Sequence, residues 1–221
     1  MIPHDPHRNG VCYIVAAAEF CGPSFTPQAQ DLLIAADGGL EHLLPAGRKP
    51  DILIGDLDSL HEKTALPDDT EVYPVMKDDT DSVLALRRGI ELGYRSFRVY
   101  GGCGGKRISH TVANLQALVW AAKQGCEIIM YEKNAYITAL HNGEMTIART
   151  DGYLSVFALD GDAEGVTLSG VKYPMQNAVL SASFPLGVSN EIVGEHACIT
   201  VENGTLLIIR SKPSGEVWAW Q

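Results

Sequence analysis

Between residues 11 and 131 short β-prone runs alternate with helical periods, and after about Ala139 the helical periods stop. The runs Val11–Ala17, Leu32–Ala36, Ile52–Ile54, Thr70–Val75, Ser96–Tyr100 and Glu127–Tyr131 read as strands. A short helix is expected at about Leu40–Leu44. A second begins near Lys77-Asp78-Asp79-Thr80-Asp81, where Asp78 or Asp79 can cap it. It carries Val83, Leu86 and Ile90 on one face and stops at Gly93. A third, about His110–Lys123, carries Val112, Leu115 and Val119 and stops at Gly125. Strands alternating with helices predict a mostly parallel sheet with helices on its faces.

The texture then changes to short alternating runs: Met145–Ala148, Tyr153–Leu159, Val166–Leu168 and Val179–Ser183. Ala197–Val201 and Thr205–Arg210 follow, joined by Glu202-Asn203-Gly204. Asn-Gly between apolar runs is a hairpin signal. The expected architecture is an α/β domain over residues 1–140 followed by an antiparallel β-sandwich over 141–221. The sequence shows no internal repeat and no low-complexity linker.

The most constrained chemistry lies in Pro50 to Ser59. The apolar run Ile52–Ile54 ends in Gly55, and Asp56 and Asp58 follow. In an extended chain residues two apart share a face. Two ionised carboxylates there repel, so one takes up a proton or a cation joins them. Hard divalent ions such as Mg²⁺ take one or two carboxylates together with substrate phosphates. The carboxyl end of a strand in an open α/β sheet is also where ligands bind. The competing reading is a solvated acidic turn.

Two further clusters extend this picture. Lys77-Asp78-Asp79-Thr80-Asp81 is either plain helix capping or a place where Asp81 joins Asp56 and Asp58 around one cation. Lys77 and Thr80 would then face phosphate oxygens. The run Gly101-Gly102-Cys103-Gly104-Gly105-Lys106-Arg107 stands between a strand and a helix. Free amides at a helix start, with glycines permitting close approach, form an anion site, and Lys106 and Arg107 add charged donors. It is not a Walker A loop, because Arg107 stands where Ser or Thr is required. A flexible loop is the alternative. Asp37-Gly38-Gly39 is a turn whose glycines admit close approach of a ligand or another element.

Composition narrows the partners. Across 221 residues the formal net charge is −10. That argues against a general nucleic-acid or anionic-membrane binder, though not against a nucleotide. The five cysteines form no Cys-x-x-Cys pair, which predicts reduced thiols and neither a disulfide framework nor a zinc site. The histidines show no metal-ligand spacing. No targeting signal is recognisable, and a cytoplasmic location is expected. In the β-half, Tyr173 reads as core, and Leu186-Gly187-Val188-Ser189-Asn190-Glu191 reads as a polar loop.

Taken in order, these motifs resemble the thiamine pyrophosphokinase family along nearly the whole chain. The series runs Ala36-Asp37-Gly38-Gly39, Gly55-Asp56-Leu57-Asp58-Ser59, Lys77-Asp78-Asp79-Thr80-Asp81, then Arg-x-Ser-His-x3-Asn from Arg107 to Asn114. Lys172-Tyr173-Pro174 and Leu186 to Glu191 follow. The resemblance implies transfer of pyrophosphate from ATP to the hydroxyl of thiamine, giving thiamine diphosphate and AMP. It implies Mg²⁺, and a homodimer with the vitamin at the subunit interface. Asp56, Asp58 and Asp81 match the metal carboxylates, and with Arg107 they form the implied catalytic set. Asp37, Gly38, Lys77, Asp78, Thr80, Gly102, Gly104, Gly105, Lys106, His110 and Asn114 fall on the ATP and phosphate side. Ser189 and Asn190 match the thiamine-pocket loop, with Tyr173 placed to stack on the vitamin. One position departs: the family commonly has Asp-His where this chain has Ser109-His110, so a neutral hydroxyl replaces a carboxylate.

Other readings of the same residues are a pyrophosphokinase for another heterocyclic alcohol, such as a hydroxymethylpterin, and a sugar transferase using Asp56-x-Asp58. A nucleotide-sensing module without catalysis is the non-enzyme reading.

Overall fold

A computed structural model of the chain describes residues 2, 5, 9–55, 71–73, 80–105, 107–213 and 216, with the backbone alone for 71–73. Among these residues twelve strands stand against three helices, so the fold is mixed and rich in sheet. Two compact units divide the chain. One takes Met1–Ala117 with Cys126–Glu132, and the other takes Leu118–Gly125 with Lys133–Ala219.

In the first unit six strands pair in parallel. They are β1 (Val11–Val15), β2 (Leu32–Ala36), β3 (Ile52–Ile54), β4 (Glu71–Tyr73), β5 (Ser96–Tyr100) and β6 (Glu127–Tyr131). Their order across the sheet is β6-β5-β1-β2-β3-β4. β2 is apolar and buried at all five positions, the pattern of a strand covered on both faces. On one face α1 (Leu40–Leu43) contributes Leu40 and Leu43 to a core with Val15, Leu33, Ala35, Leu53, Phe25 and Tyr100. On the other, α2 (Asp81–Glu91) lies so close that a Cβ on Gly89 would stand 2.6 Å from the Phe97 ring and 2.9 Å from Cys12 Sγ.

Helix α2 is capped by Thr80, not by Asp78 or Asp79 as the sequence suggested. Thr80 is extended, and its hydroxyl accepts the Val83 N–H at 3.4 Å, a bond worth about 1 kcal/mol. Its inward face carries Ala85, Leu86 and Gly89. The third helix, α3 (Ile108–Lys123), starts two residues before the expected His110. Its buried residues are Asn114, Ala117, Leu118, Val119, Ala121 and Ala122. Of the expected stripe, Val119 is in the core, Leu115 is half-buried and Val112, in the first turns, is 52% exposed.

In the second unit every described strand pairing is antiparallel. The strands are β7 (Ala135–Ala148), β8 (Tyr153–Ala158), β9 (Ala163–Ser169), β10 (Met175–Leu180), β11 (Gly187–Asn190) and β12 (His196–Ser211). Alternate positions build its core: Leu154, Val156 and Ala158; Val166 and Leu168; Ala197, Ile199 and Val201; Leu206 and Ile208. Gly187–Asn190, expected as loop, is a short strand paired with β8.

The expected hairpin at Asn203-Gly204 does not form. β12 runs unbroken on both sides of it and stays paired with β7 throughout, with a register shift between Val201 and Thr205. The extra residues make a bulge. The Gly204 N–H donates to Asn142 Oδ1 at 2.9 Å, and Asn142 is itself left-handed at φ 43. Across the bulge β12 exchanges its other neighbour, β9 before it and β8 after it. Continuous pairing with β7 outweighs the local turn preference.

Candidate functional site

The strand order of the first unit creates the site. β1 lies between β5 and β2, and the chain leaves β1 toward β2 but later returns on its other side as β5. The connections that follow β1 and β5 therefore run toward opposite edges of the sheet, the arrangement at which ligands bind in such sheets. A cavity of about 440 Å³ occupies that place. Its lining comes from Ala16–Glu19 after β1, Asp37 after β2, Asp81 and Ser82 at the start of α2, and the glycine loop after β5. Arg107, His110, Thr111 and Asn114 complete it from the first turns of α3.

The glycine loop is bound to the β1 loop by backbone. The Ala16 N–H donates to Tyr100 O at 2.8 Å and the Ala18 N–H to Gly101 O at 3.0 Å. Gly101 is left-handed at φ 66, and a Cβ there would stand 2.5 Å from Ala16 O. At Gly102 a Cβ would meet Met130 Sδ at 2.3 Å. These two glycines are required by close packing, so the loop is a fixed structure and not a slack connection. Asn114, 8% exposed, donates its side-chain amide to Gly102 O at 2.6 Å. Cys103 is buried, and burial followed by the neighbouring Glu132 pushes its thiol up to about 12.

Asp37 stands in a 3₁₀ turn with φ 52, a conformation that costs a residue other than glycine about 1 kcal/mol or more. Its carboxylate lies 3.9 Å from the Arg107 guanidinium. The end of β3 enters the same region. A Cβ built on Gly55 would lie 3.4 Å from Asp37 Cα and 4.0 Å from Asp81 Oδ2. Asp56 and Asp58 follow Gly55 in sequence. With Lys77, Asp78 and Lys106 they lie outside the described residues.

The structure thus brings Asp37, Asp81, Gly102, Gly104, Gly105, Arg107, His110 and Asn114 to one cavity. Gly38 and Thr80 do not line it, and Thr80 spends its hydroxyl as the α2 cap. Ser109 is exposed and is also absent from the lining. Sequence reasoning missed Ala16–Glu19, Ser82 and Thr111. The signal for Ala16–Glu19 was a run of three alanines at the end of a strand, which reads as more strand. Among the described residues no group of three or more His, Cys, Asp or Glu gathers to hold a metal. None of the five cysteines is joined in a disulfide.

In the second unit Tyr173, Ser189 and Asn190 form one small construction. Asn190 is 4% exposed. Its Oδ1 accepts the N–H groups of Tyr173 and Glu191, each at 3.0 Å, and its Nδ2 donates to Tyr173 O at 2.7 Å. The ring it thereby holds in place is 61% exposed, where the sequence suggested core. Ser189 is left-handed at φ 58 and donates its N–H to Ser155 Oγ at 3.0 Å. Lys172 and Glu191 pair at 2.8 Å beside it.

Residues 26–130 match the family model of the thiamin pyrophosphokinase catalytic domain, and residues 144–206 that of its vitamin B1 binding domain. The chain belongs to the thiamin pyrophosphokinase family. Membership makes it an ATP-dependent pyrophosphotransferase. A thiamine pyrophosphokinase of Bacillus subtilis is 32% identical over 188 residues, covering 81% of this chain and 87% of the relative. Crystal structures of thiamine pyrophosphokinases from Bacillus subtilis and Geobacillus thermodenitrificans each superpose with TM-score 0.80. They are 29% and 28% identical, cover 91% and 93% of this chain, and are themselves covered over 99%. No helix among the described residues is long and apolar enough to cross a membrane.

Proposed function

We propose that the chain transfers the pyrophosphoryl group of ATP to the hydroxyl of thiamine, giving thiamine diphosphate and AMP, with the triphosphate bound in the cavity between the β1 and β5 loops. The observation that carries this reading is the cavity itself. It combines a rigid glycine loop, a helix start and a guanidinium at the switch point of the sheet, the elements that hold phosphates.

The hydroxyl attacks the β-phosphorus and AMP leaves, so charge builds on the α-phosphate and bridging oxygens. Arg107 and the amides of Gly104 and Gly105 stabilise that charge, and fixed donors act without reorganising. His110 and Asn114 border the same space, with Asn114 fixing the loop and His110 offering a polar ring to the nucleotide. Lys77, Asp78, Thr80, Lys106 and Gly38 complete the ATP side in this reading. Asp37 orients Arg107.

The charge of the cavity suits an ATP that brings a magnesium ion, while its described carboxylates do not by themselves gather as a metal site. Three carboxylates, Glu19, Asp37 and Asp81, line the cavity against Arg107 and His110. A triphosphate entering such a place needs a divalent cation to offset the repulsion. Asp81 with Asp56 and Asp58 would hold it in this reading, supported by Gly55, the residue before Asp56, where a Cβ would stand 4.0 Å from Asp81 Oδ2. Held by these residues, it would offset negative charge on the transferring group.

The vitamin side is assigned to residues 141–221, as a β-sandwich, and the ATP side to residues 1–140. Tyr173 stacks on thiamine, held in place by Asn190, and Ser189 presents its hydroxyl from a backbone held by Ser155. The active unit is a homodimer in the cytoplasm, with thiamine at the subunit interface. Chromatography of a reaction with ATP, magnesium and thiamine tests the function: thiamine diphosphate and AMP should appear in equal amounts. A hydroxymethylpterin in place of thiamine should give neither AMP nor a diphosphate ester. Turnover with the pterin alone would reassign the acceptor.

A further inference from the structure

The loop that follows β1 lines the cavity as far as Glu19, and the next residue, Phe20, leaves it. The Phe20 ring is half-buried and stacks on Tyr100, with centroids 5.0 Å apart and planes within 13°. Phe25 and His42 stand against the same ring at 6.3 and 6.0 Å. Tyr100 is the last residue of β5, 1% exposed, and it meets the β1 loop repeatedly. Its carbonyl accepts the Ala16 N–H at 2.8 Å, its ring carries Phe20, and its hydroxyl donates to Pro23 O at 3.2 Å. Gly22 comes so near that a Cβ there, at φ 132, would stand 2.8 Å from Tyr100 Cε1. The residue after Tyr100 is Gly101, whose carbonyl accepts the Ala18 N–H at 3.0 Å. The end of β5 thus sets the path of the β1 loop, and Phe20 is the ring by which that loop grips it.

We propose that Phe20 is a positioning residue for the nucleotide site: stacked on Tyr100, it holds the β1 loop so that Ala17, Ala18 and Glu19 form a fixed wall of the cavity. This inference rests on reading the cavity as the ATP site. The wall is closely fitted. A Cβ on Gly38 would stand 3.2 Å from Ala17 Cβ, and one on Gly105 would stand 3.5 Å from Ala18 Cβ. The two alanines therefore abut the turn after β2 and the glycine loop, and a shift of the β1 loop changes both gaps. Alanine side chains are too small to lock a loop by their own packing, so the locking falls to the first large residue beyond them. A wall held in one conformation before ATP arrives avoids the ordering cost of binding. Paired rings also prefer a definite offset and angle. An aliphatic side chain at position 20 would still pack against the core of Leu40, Leu43 and Tyr100, but it would not impose that angle.

Three variants test this: Phe20→Ala removes the ring, Phe20→Leu keeps apolar bulk without the stack, and Phe20→Tyr keeps the stack. Phe20→Ala should raise KM for ATP about tenfold and leave KM for thiamine within about twofold. Phe20→Leu should raise KM for ATP about threefold, and Phe20→Tyr should stay within about twofold of wild type. Hydrogen exchange provides a readout independent of turnover: the Ala18 amide should be protected in wild type and Phe20→Tyr and exchange faster in Phe20→Ala. Should Phe20→Ala not fold, Phe20→Leu and Phe20→Tyr carry the same comparison. Unchanged KM for ATP in the variants that lose the ring, an equal rise in both KM values, or an Ala18 amide as protected in them as in wild type overturns the proposal. Calorimetry with α,β-methylene ATP and magnesium separates the two claims. A wild type that binds no nucleotide defeats the cavity reading, whereas equal binding by wild type and the ring-less variants defeats the positioning role.

Discussion

The Arg107 guanidinium stands 3.9 Å from the Asp37 carboxylate, joining the loop after β5 to the turn after β2 across the mouth of the cavity. Arg107 is 65% exposed and Asp37 37%, so the pair itself contributes at most about 1 kcal/mol to stability. In the proposed reading its value lies in aiming a cation at the ATP phosphates.

Arg107→Ala should therefore leave the melting temperature within about 2–4 °C of wild type, the shift of a ΔΔG near 1 kcal/mol in a chain this long. Turnover should fall by roughly 10²- to 10³-fold, the loss seen when one donor to a developing oxyanion is removed. Steady-state kinetics alongside thermal melts checks both. A change confined to KM for thiamine would move Arg107 out of the phosphate site.

Asp37 stores strain at φ 52, so Asp37→Gly should stabilise the fold by about 1 kcal/mol while lowering turnover. Urea unfolding and initial rates on the same preparation measure the two effects. Gain of stability with unchanged rate would remove Asp37 from the chemistry.

Much of the first unit was legible because its strands are short, apolar and bounded by turn residues. Ser96–Tyr100 and Glu127–Tyr131 form the strands the sequence suggests, residue for residue. Asn203-Gly204 misled because a hairpin signal is local, whereas β7 pairs with both flanks and turns the same residues into a bulge. Val112 misled because apolar spacing marks a helix face along its whole length, whereas here that face is covered at Val119 and open at Val112, and only packing decides where. At the site, Arg107, Asp81 and the glycines announced themselves by residue type. Ala16–Glu19 did not: small residues after a strand carry no local mark, and they reach the cavity only because β1 and β5 are neighbours.

Glu132 gives the pH dependence. Its carboxyl is raised above the ordinary value by burial and then by the charge of Glu19, with the neighbouring Cys103 opposing. A raised folded pKa means the folded state holds the proton more tightly than the unfolded chain. That advantage is complete below the unfolded value, near 4.5, and lost as pH climbs through the folded one. Glu132→Gln, neutral throughout, should then gain stability relative to wild type as pH rises from 4 to 8. Denaturant midpoints at several pH values show the trend. A constant difference across that range would mean that the carboxyl titrates alike in both states.

Asn190→Ala removes three hydrogen bonds from a buried position and should cost about 1–3 kcal/mol. Because those bonds hold Tyr173, KM for thiamine should rise more than KM for ATP. Equal effects on the two substrates would confine Asn190 to the fold.

The most direct test follows the fate of each phosphate. With magnesium and thiamine, ATP labelled at the β-phosphorus should deliver its label to thiamine diphosphate, and ATP labelled at the α-phosphorus should deliver it to AMP alone. Label from the β-phosphorus recovered in ADP, with thiamine monophosphate as the product, would show attack on the γ-phosphorus and contradict pyrophosphoryl transfer.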